Sequence, residues 1–136
     1  MIRLYNIRKV FNAKKPNEFV AIQGVSLTIG SHKATALKGP SGSGKTTLLS
    51  ILGCLARPTS GRIMLEEREI TSLPERFLTE IRRETFGFMF QQFNLIKGIS
   101  ALENVMIPAY PNGEENASLK KRADRKSTRL NSSHRL

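Results

Sequence analysis

The residues with the clearest chemical use lie between Gly39 and Thr46, where the chain reads Gly-Pro-Ser-Gly-Ser-Gly-Lys-Thr. Glycines at this spacing let the backbone turn so tightly that successive N–H groups point inward, as a phosphate cradle requires. Lys45 can neutralise the β- and γ-phosphates, and the Thr46 hydroxyl is a hard oxygen ligand suited to Mg²⁺. The spacing therefore predicts a nucleoside triphosphate site, the P-loop pattern, made of Gly39, Pro40, Ser41, Gly42, Ser43, Gly44, Lys45, Thr46 and Thr47.

The segments around this loop have the order that a phosphate-binding loop needs. A short apolar run over residues 34–37 predicts a strand before it, and apolar spacing over residues 45–55 predicts a helix after it. Such a helix turns its unpaired amide groups and its positive dipole end towards an anion. The alternative is a glycine-rich strand–helix turn without a ligand, which explains the spacing but not the lysine and threonine that follow it.

The remaining pattern predicts an α/β fold. Alternating apolar residues indicate strands, and apolar residues three and four apart indicate helices. The predicted elements are strands over residues 2–7, 25–29, 62–65 and 85–90, a helix over 75–84, and a helix that begins with a capping box at Ser100. We expect a P-loop NTPase core with an incomplete parallel sheet, plus an antiparallel β subdomain built from residues 2–29 and 62–65.

The net charge of +11 would fit a nucleic-acid-binding protein, but its distribution does not. Residues 120–136 hold 7 Lys and Arg against one Asp, so more than half of the excess lies in this short segment. A basic terminal run is typical of a solvated tail. We therefore expect no nucleic-acid partner. The single cysteine, Cys54, cannot form an internal disulfide, which favours a reducing cytosol.

Three further segments resemble the ATPase subunits of ABC transporters. Phe11 ends an apolar segment upstream of the P-loop, Thr59-Ser60-Gly61 follows the P-loop helix, and Phe88-Met89-Phe90 leads into Gln91. The resemblance covers residues 2 to about 110. It implies ATP and Mg²⁺ as ligands, with Phe11 stacking on adenine. It also implies that Gln91, rather than its neighbour Gln92, offers a neutral oxygen to Mg²⁺ or to the attacking water.

Residues 90–95 and 101–105 resemble one branch of that family, which energises lipoprotein release, macrolide export and antimicrobial-peptide export. The resemblance implies that the intact protein pairs with a second ATPase subunit, sandwiches two ATP molecules and drives a transmembrane permease subunit. Gln91 would link the nucleotide site to that permease. Such a subunit is cytoplasmic and peripheral at the inner face of the cell membrane.

The groups that this family carries in its second half are absent from the sequence. The only aspartate is Asp124, and no Leu-Ser-Gly-Gly run occurs. From Asp124 to His134 the chain resembles a forward-frame translation of a common DNA-sequencing adapter. We therefore expect residues 1–123 to be the N-terminal part of a truncated ABC ATP-binding domain, and residues 124–136 to be a non-native, disordered tail.

Three other interpretations stay open at this stage. They are another P-loop NTPase or small kinase, a basic nucleic-acid-binding module, and an inert fragment that does not fold. The joint presence of Phe11, the 59–61 turn and Gln91 disfavours the first, and the position of the excess charge disfavours the second. A thermal-shift measurement with and without Mg-ATP distinguishes the nucleotide-binding interpretations from the other two.

We expect this 136-residue chain to show no significant ATP hydrolysis, alone or as a homodimer. The amide of Gln91 cannot take a proton near neutral pH, and no glutamate follows an apolar strand as half of an Asp-Glu pair. Loss of one general base or one charge-stabilising group costs about 10²-fold or more in rate. Phosphate release from Mg-ATP is the measurement, with Lys45→Ala as the contamination control. Turnover near about 1 s⁻¹ that disappears in the control would contradict this expectation.

Overall fold

The computed structural model describes residues 1–92 and 94–132 and divides the chain into two compact units. The first unit runs from Met1 to Phe86 and contains the P-loop, residues 39–46. The second unit begins at Gly87. Each unit has a hydrophobic cluster of its own, so the two are described separately.

A four-stranded antiparallel sheet in the order β2-β1-β3-β4 forms the frame of the first unit. Its strands are β1 (Ile2–Phe11), β2 (Phe19–Ile29), β3 (Ser60–Leu65) and β4 (Arg68–Glu69). The predicted antiparallel subdomain is therefore confirmed. Both β1 and β2 are longer than the alternation of apolar residues indicated. The register between the two strands shifts on either side of Ile7. Such irregularities interrupt the alternation by which a strand is recognised in sequence.

Two helices complete the first unit, α1 at Lys45–Leu52 and α2 at Glu75–Thr85. The amphipathic pattern of α2 is confirmed, since Leu78 and Ile81 are buried in the core. The other buried members of this core are Leu4, Ile7, Ile22, Leu48, Ile51, Leu52, Cys54, Ile63 and Ile70. Burying one aliphatic side chain contributes about 1.5–3 kcal/mol, against about 0–1 kcal/mol for an exposed ion pair. Apolar packing therefore decides where α1, and with it the P-loop, lies on the sheet.

The helix after the P-loop ends at Leu52, earlier than the predicted residue 55. Gly53 follows, and Cys54 adopts a φ of 59°, which turns the chain out of the helix. The Arg82 guanidinium of α2 donates one hydrogen bond of 2.7 Å to the Cys54 carbonyl and one of 2.6 Å to Glu75 Oε1. The bond from Arg82 holds the pKa of Glu75 below its ordinary value. A cation thus lies at the negative end of α1 and joins it to α2.

Two predicted strands are wrong. Residues 34–37 and 86–90 form no strand, and Thr85 is the last residue of α2. A strand persists only where a neighbour pairs with its backbone, and in the described ranges every paired strand is antiparallel and belongs to the sheet above. Residues 34–36 are accordingly exposed, and only Leu37 packs against the core. The parallel part of the expected sheet is not formed within residues 1–92 and 94–132.

The capping box predicted at Ser100 is confirmed, and it begins helix α3, Ala101–Met106, in the second unit. Ser100 Oγ accepts a hydrogen bond from the Glu103 amide at 3.2 Å, and the Ser100 amide donates one of 2.7 Å to Glu103 Oε2. Two amides that would otherwise lack partners are satisfied in this way. A 3-10 helix, Ile107–Asn112, and helix α4, Asn116–Ser132, follow.

The structure places residues 124–132 in α4, whereas a disordered tail was expected over residues 124–136. Residues 133–136 lie outside the described residues, and the non-native origin of the tail stays a prediction. Leu119 and Ala123 lie one helical turn apart, and both are buried with Met106 in the cluster of the second unit. This contact, together with the good helix formers before Asp124, favours a helix over an unfolded segment. Across residues 1–92 and 94–132, no helix has both the length and the apolar character that crossing a membrane demands.

Candidate nucleotide-binding site

The P-loop leads directly into the amino end of α1. Gly44 is the residue before the helix, and no side chain in the described part of the chain caps it. The first backbone bond runs from the Leu48 amide to the Gly44 carbonyl at 2.8 Å. The amides of the first turn therefore have no side-chain acceptor, and the first turn carries no acidic residue. With the helix dipole, these amides form an end that attracts anions.

Gly44 is required at its position for two separate reasons. Its φ of 83° lies in the left-handed region, and a Cβ placed on it would come within 2.4 Å of the Ala21 carbonyl oxygen on β2. Gly42, two residues earlier, also has a positive φ, of 79°, but a Cβ there would meet nothing within 4 Å. The loop thus lies against the backbone of β2 at Gly44 and stands free at Gly42.

Lys45 folds back over the loop. Its ammonium donates hydrogen bonds to the Gly39 carbonyl at 2.9 Å, the Pro40 carbonyl at 2.6 Å and Ser43 Oγ at 3.3 Å. All three acceptors belong to the P-loop itself. The charge is therefore held over the turn that the glycines form, where phosphate oxygens would be stronger, charged acceptors than the neutral oxygens that now hold it.

A cavity of about 370 Å³ opens beside the loop in the first unit. Its wall combines P-loop residues with one side of β2, and its lining is Ala21, Ile22, Gln23, Val25, Leu37, Lys38, Gly39, Pro40, Ser43, Gly44, Lys45 and Leu48. Its volume is at the lower end of the range for small-molecule sites, roughly 300–1,000 Å³. Two lysines, two neutral polar side chains and several apolar ones on this wall suit an anionic ligand that also has an uncharged part.

Thr46 and Thr47 occupy the first turn of α1, where Thr46 is exposed and Thr47 is half-buried. In the ranges 1–92 and 94–132, no three His, Cys, Asp or Glu side chains lie close enough to hold a metal ion. Mg²⁺ does not need such a cage, because it keeps several waters and binds through one or two protein oxygens plus substrate phosphates. The exposed Thr46 hydroxyl fits this limited role.

Phe11 lies at the end of β1 and pairs in register with Phe19 on β2. Phe19 is two residues from Ala21, about 7 Å along the strand at the usual rise per residue. Phe11 thus belongs to the end of the hairpin that contacts Gly44. Phe11 is 43% exposed and is therefore not a residue of the hydrophobic core.

Gln91 lies in the second unit, exposed, just after the stacked rings of Phe88 and Phe90, whose centroids are 6.1 Å apart. The structure therefore gathers Gly39 to Thr47 and the strand end of Phe11 in one unit, while the place of Gln91 at the site stays a prediction. Sequence reasoning missed the contribution of β2, because only the close approach at Gly44 reveals it.

The fold and the loop define the class of P-loop nucleotide-binding proteins. Within that class, the sequence model of the ABC transporter family matches residues 22–135. The chain is 42% identical over 125 residues to the lipoprotein-releasing system ATP-binding protein LolD 1 of Rhodopseudomonas palustris, covering 91% of this chain and 55% of that protein. It is 45% identical over 109 residues to the macrolide export ATP-binding/permease protein MacB of Hyphomonas neptunium, covering 80% of this chain and 17% of that protein.

A solved structure of an ATP-binding cassette is also similar to this chain. The ATP-binding cassette MJ0796, bound to ADP and Pi as a dimer, matches with a TM-score of 0.82 at 38% identity, over 90% of this chain and 54% of that chain. The corresponding protein of Methanocaldococcus jannaschii is 44% identical over 109 residues, covering 79% of this chain and 46% of that protein.

This chain belongs to the ABC transporter family, as an ATP-binding domain. The expected ABC ATP-binding fold with its antiparallel subdomain is thereby confirmed, apart from the parallel strands noted above, and so is the resemblance to the lipoprotein-release and macrolide-export branch. The chain spans about half the length of the LolD and MJ0796 relatives. Antimicrobial-peptide export stays a prediction.

Replacing Gly44 by Ala should destabilise the first unit far more than replacing Gly42 by Ala. Both changes place a Cβ at positive φ, which costs about 1–2 kcal/mol. Only Gly44→Ala also drives a Cβ into the Ala21 carbonyl, and such overpacking costs about 1–3 kcal/mol more. Chemical denaturation of the two variants measures the difference. Equal losses of unfolding free energy would contradict the close approach of the loop to β2.

Proposed function

We propose that this chain binds Mg-ATP at the P-loop. The observation that carries the proposal is the position of the Lys45 ammonium, held over the loop at the uncapped amino end of α1. The phosphate oxygens would replace the loop oxygens as acceptors of the Lys45 ammonium, and they would accept hydrogen bonds from backbone amides between Ser41 and Thr47. Thr46 would supply one oxygen to Mg²⁺, and the nucleotide phosphates would supply others.

Phe11 would stack on the adenine. Its half-exposed ring at the P-loop end of the β1–β2 hairpin supports this role, because a ring face is then available to a base. Gln91 would offer its amide oxygen to Mg²⁺ or to the attacking water. The support for Gln91 is its family-like position after Phe88-Met89-Phe90 and its exposure.

The whole protein would couple ATP binding and hydrolysis to export or lipoprotein release. It would work with a second ATPase subunit and a transmembrane permease subunit, peripheral at the cytoplasmic face of the membrane. Two relatives support this, one named for a lipoprotein-releasing system and one for macrolide export with a permease part. A dimeric solved relative supports the second subunit.

The second unit offers a surface that fits a permease contact. Among the described residues 88–92 and 94–110, large apolar side chains are more than one-third exposed at eight positions, and Met89 is fully exposed. These residues are Phe88, Met89, Phe90, Leu95, Ile96, Ile99, Val105 and Tyr110. Five of them, Phe88, Met89, Phe90, Leu95 and Ile96, line one cavity of the second unit. Exposed apolar residues that are grouped in this way mark an interaction site more often than isolated ones do. Gln91 lies within this stretch, so a partner bound here would contact the segment that carries it.

Lys45→Ala should weaken Mg-ATP binding at least about tenfold, because a charge-assisted phosphate contact contributes about 1.5–3 kcal/mol. Lys33→Ala is the matched control, since it removes the same charge from an exposed loop residue of the first unit. Titration calorimetry measures both affinities. If wild type and Lys45→Ala bind equally well, the P-loop assignment is wrong. If neither binds, the proposed function fails.

Met89→Ser should reduce co-purification of this chain with the permease part of the Hyphomonas neptunium MacB relative. The change removes a fully exposed apolar side chain without altering charge. Leu55→Ser, at an exposed apolar position of the first unit, is the control. Capture that is lost equally in both variants, or in neither, would argue against the second-unit surface as the permease contact.

A further inference from the structure

Lys9 carries a cation that contacts the proposed base-stacking ring. Its ammonium lies 5.1 Å from the centroid of the Phe11 ring, within the range of a cation–π contact. The two residues are separated by one position on β1, and Lys9 pairs in register with Ile22, which lines the cavity beside the P-loop. The side chain of Lys9 is half-buried and belongs to the same end of the hairpin as Phe11.

The ammonium of Lys9 is fixed from its other side. It donates a hydrogen bond of 2.7 Å to the Arg57 carbonyl, in the turn that follows α1. That turn also holds the strand itself, because the Thr59 amide donates to the Arg8 carbonyl at 2.8 Å and Thr59 Oγ1 accepts from the Val10 amide at 2.9 Å. With a longer bond of 3.4 Å from Thr59 Oγ1 to the Val10 carbonyl, four hydrogen bonds hold the end of β1 to the segment after the P-loop helix.

We propose that Lys9 is a positioning residue for the nucleobase, which fixes the plane of the Phe11 ring and occupies one of its faces so that adenine stacks on the other. The inference rests on the proposed stacking of ATP on Phe11 and adds to it. Lys9 touches the ring and not the base.

The physical reason lies in the freedom of an exposed aromatic side chain. A phenylalanine that is 43% exposed at a strand end can turn about two bonds, and holding one orientation costs side-chain entropy on binding. A cation over one face holds the ring before the base arrives, so less entropy is lost when the base stacks. The cation also faces the negative π-surface of the ring, which leaves only the opposite face for a base.

Lys9→Met tests the proposal, because methionine keeps the length and the apolar stem of lysine but removes the charge. Arg8→Met is the matched control, since Arg8 is exposed on the same strand and loses the same unit of charge. Lys9→Arg is the rescue variant, because a guanidinium retains both a donor and a cation–π contact. Phe11→Leu and Phe11→Tyr test the stacking itself. The full chain is titrated with Mg-ATP and with Mg-tripolyphosphate, which lacks a base, and thermal unfolding of each variant confirms that it is folded.

The proposal expects Lys9→Met to weaken Mg-ATP binding about threefold or more, the size of a cation–π contact at an accessible site. Mg-tripolyphosphate affinity should fall no further than in Arg8→Met, and Lys9→Arg should restore ATP affinity. A merely structural role would lower both affinities together, and so would a direct contact of Lys9 with phosphate. Either result overturns the proposal.

The Phe11 variants distinguish the stacking of the base on Phe11 from the positioning role of Lys9. Stacking is supported if Phe11→Leu weakens binding of ATP but not of tripolyphosphate, while Phe11→Tyr leaves ATP binding unchanged. If Lys9→Met then has the same affinities as Arg8→Met, Lys9 has no positioning role although the base stacks on Phe11. If Phe11→Leu leaves ATP affinity unchanged, the base does not stack on Phe11 and the role of Lys9 falls with it. Absence of binding to both ligands in the wild-type chain would overturn the nucleotide site as well.

Discussion

The contact between Gly44 and the backbone of β2 is the constraint on which the candidate site depends. Because a Cβ at Gly44 would lie 2.4 Å from the Ala21 carbonyl, only glycine allows α1 to begin this close to the sheet. The start of the helix, the position of Lys45 and the shape of the cavity all follow from that approach. At its other end the same helix is held by Arg82, which bonds the Cys54 carbonyl. The P-loop helix is therefore fixed at both ends by groups outside it.

Local chemistry in this chain was readable from sequence, and long-range pairing was not. The P-loop, the capping box at Ser100 and the amphipathic face of α2 each depend on residues a few positions apart, and all three were predicted. The strand expected at 34–37 failed because apolar composition gives a segment β-propensity but does not provide a strand to pair with. The sequence of residues 124–132 does not indicate a helix by itself. These residues continue α4, whose buried residues Leu119 and Ala123 lie in its first half and pack against Met106 of α3.

The candidate site shows the same division. Gly39 to Thr47 could be named from spacing, since a phosphate cradle is built from consecutive residues. The part of the wall that β2 contributes could not be predicted from sequence. Ala21 and Ile22 are ordinary apolar residues, and they belong to the site only because the fold brings them next to Gly44. Lys9 has a signature, a cation two residues before an aromatic on a strand. Its meaning depends on the Arg57 carbonyl, which comes from 48 residues further along the chain.

The three hydrogen bonds that Lys45 makes within its own loop have a consequence for ligand selectivity. Any anion that recruits this ammonium must first displace two carbonyls and a hydroxyl, so the net gain is a difference between two sets of bonds. A small anion with one charged group recovers little more than the loop already provides. A chain of phosphates, which offers many oxygens at once to the lysine and to the amides of α1, recovers much more. The loop oxygens thus compete with any ligand for the Lys45 ammonium, and this competition favours polyphosphates over anions with a single charged group.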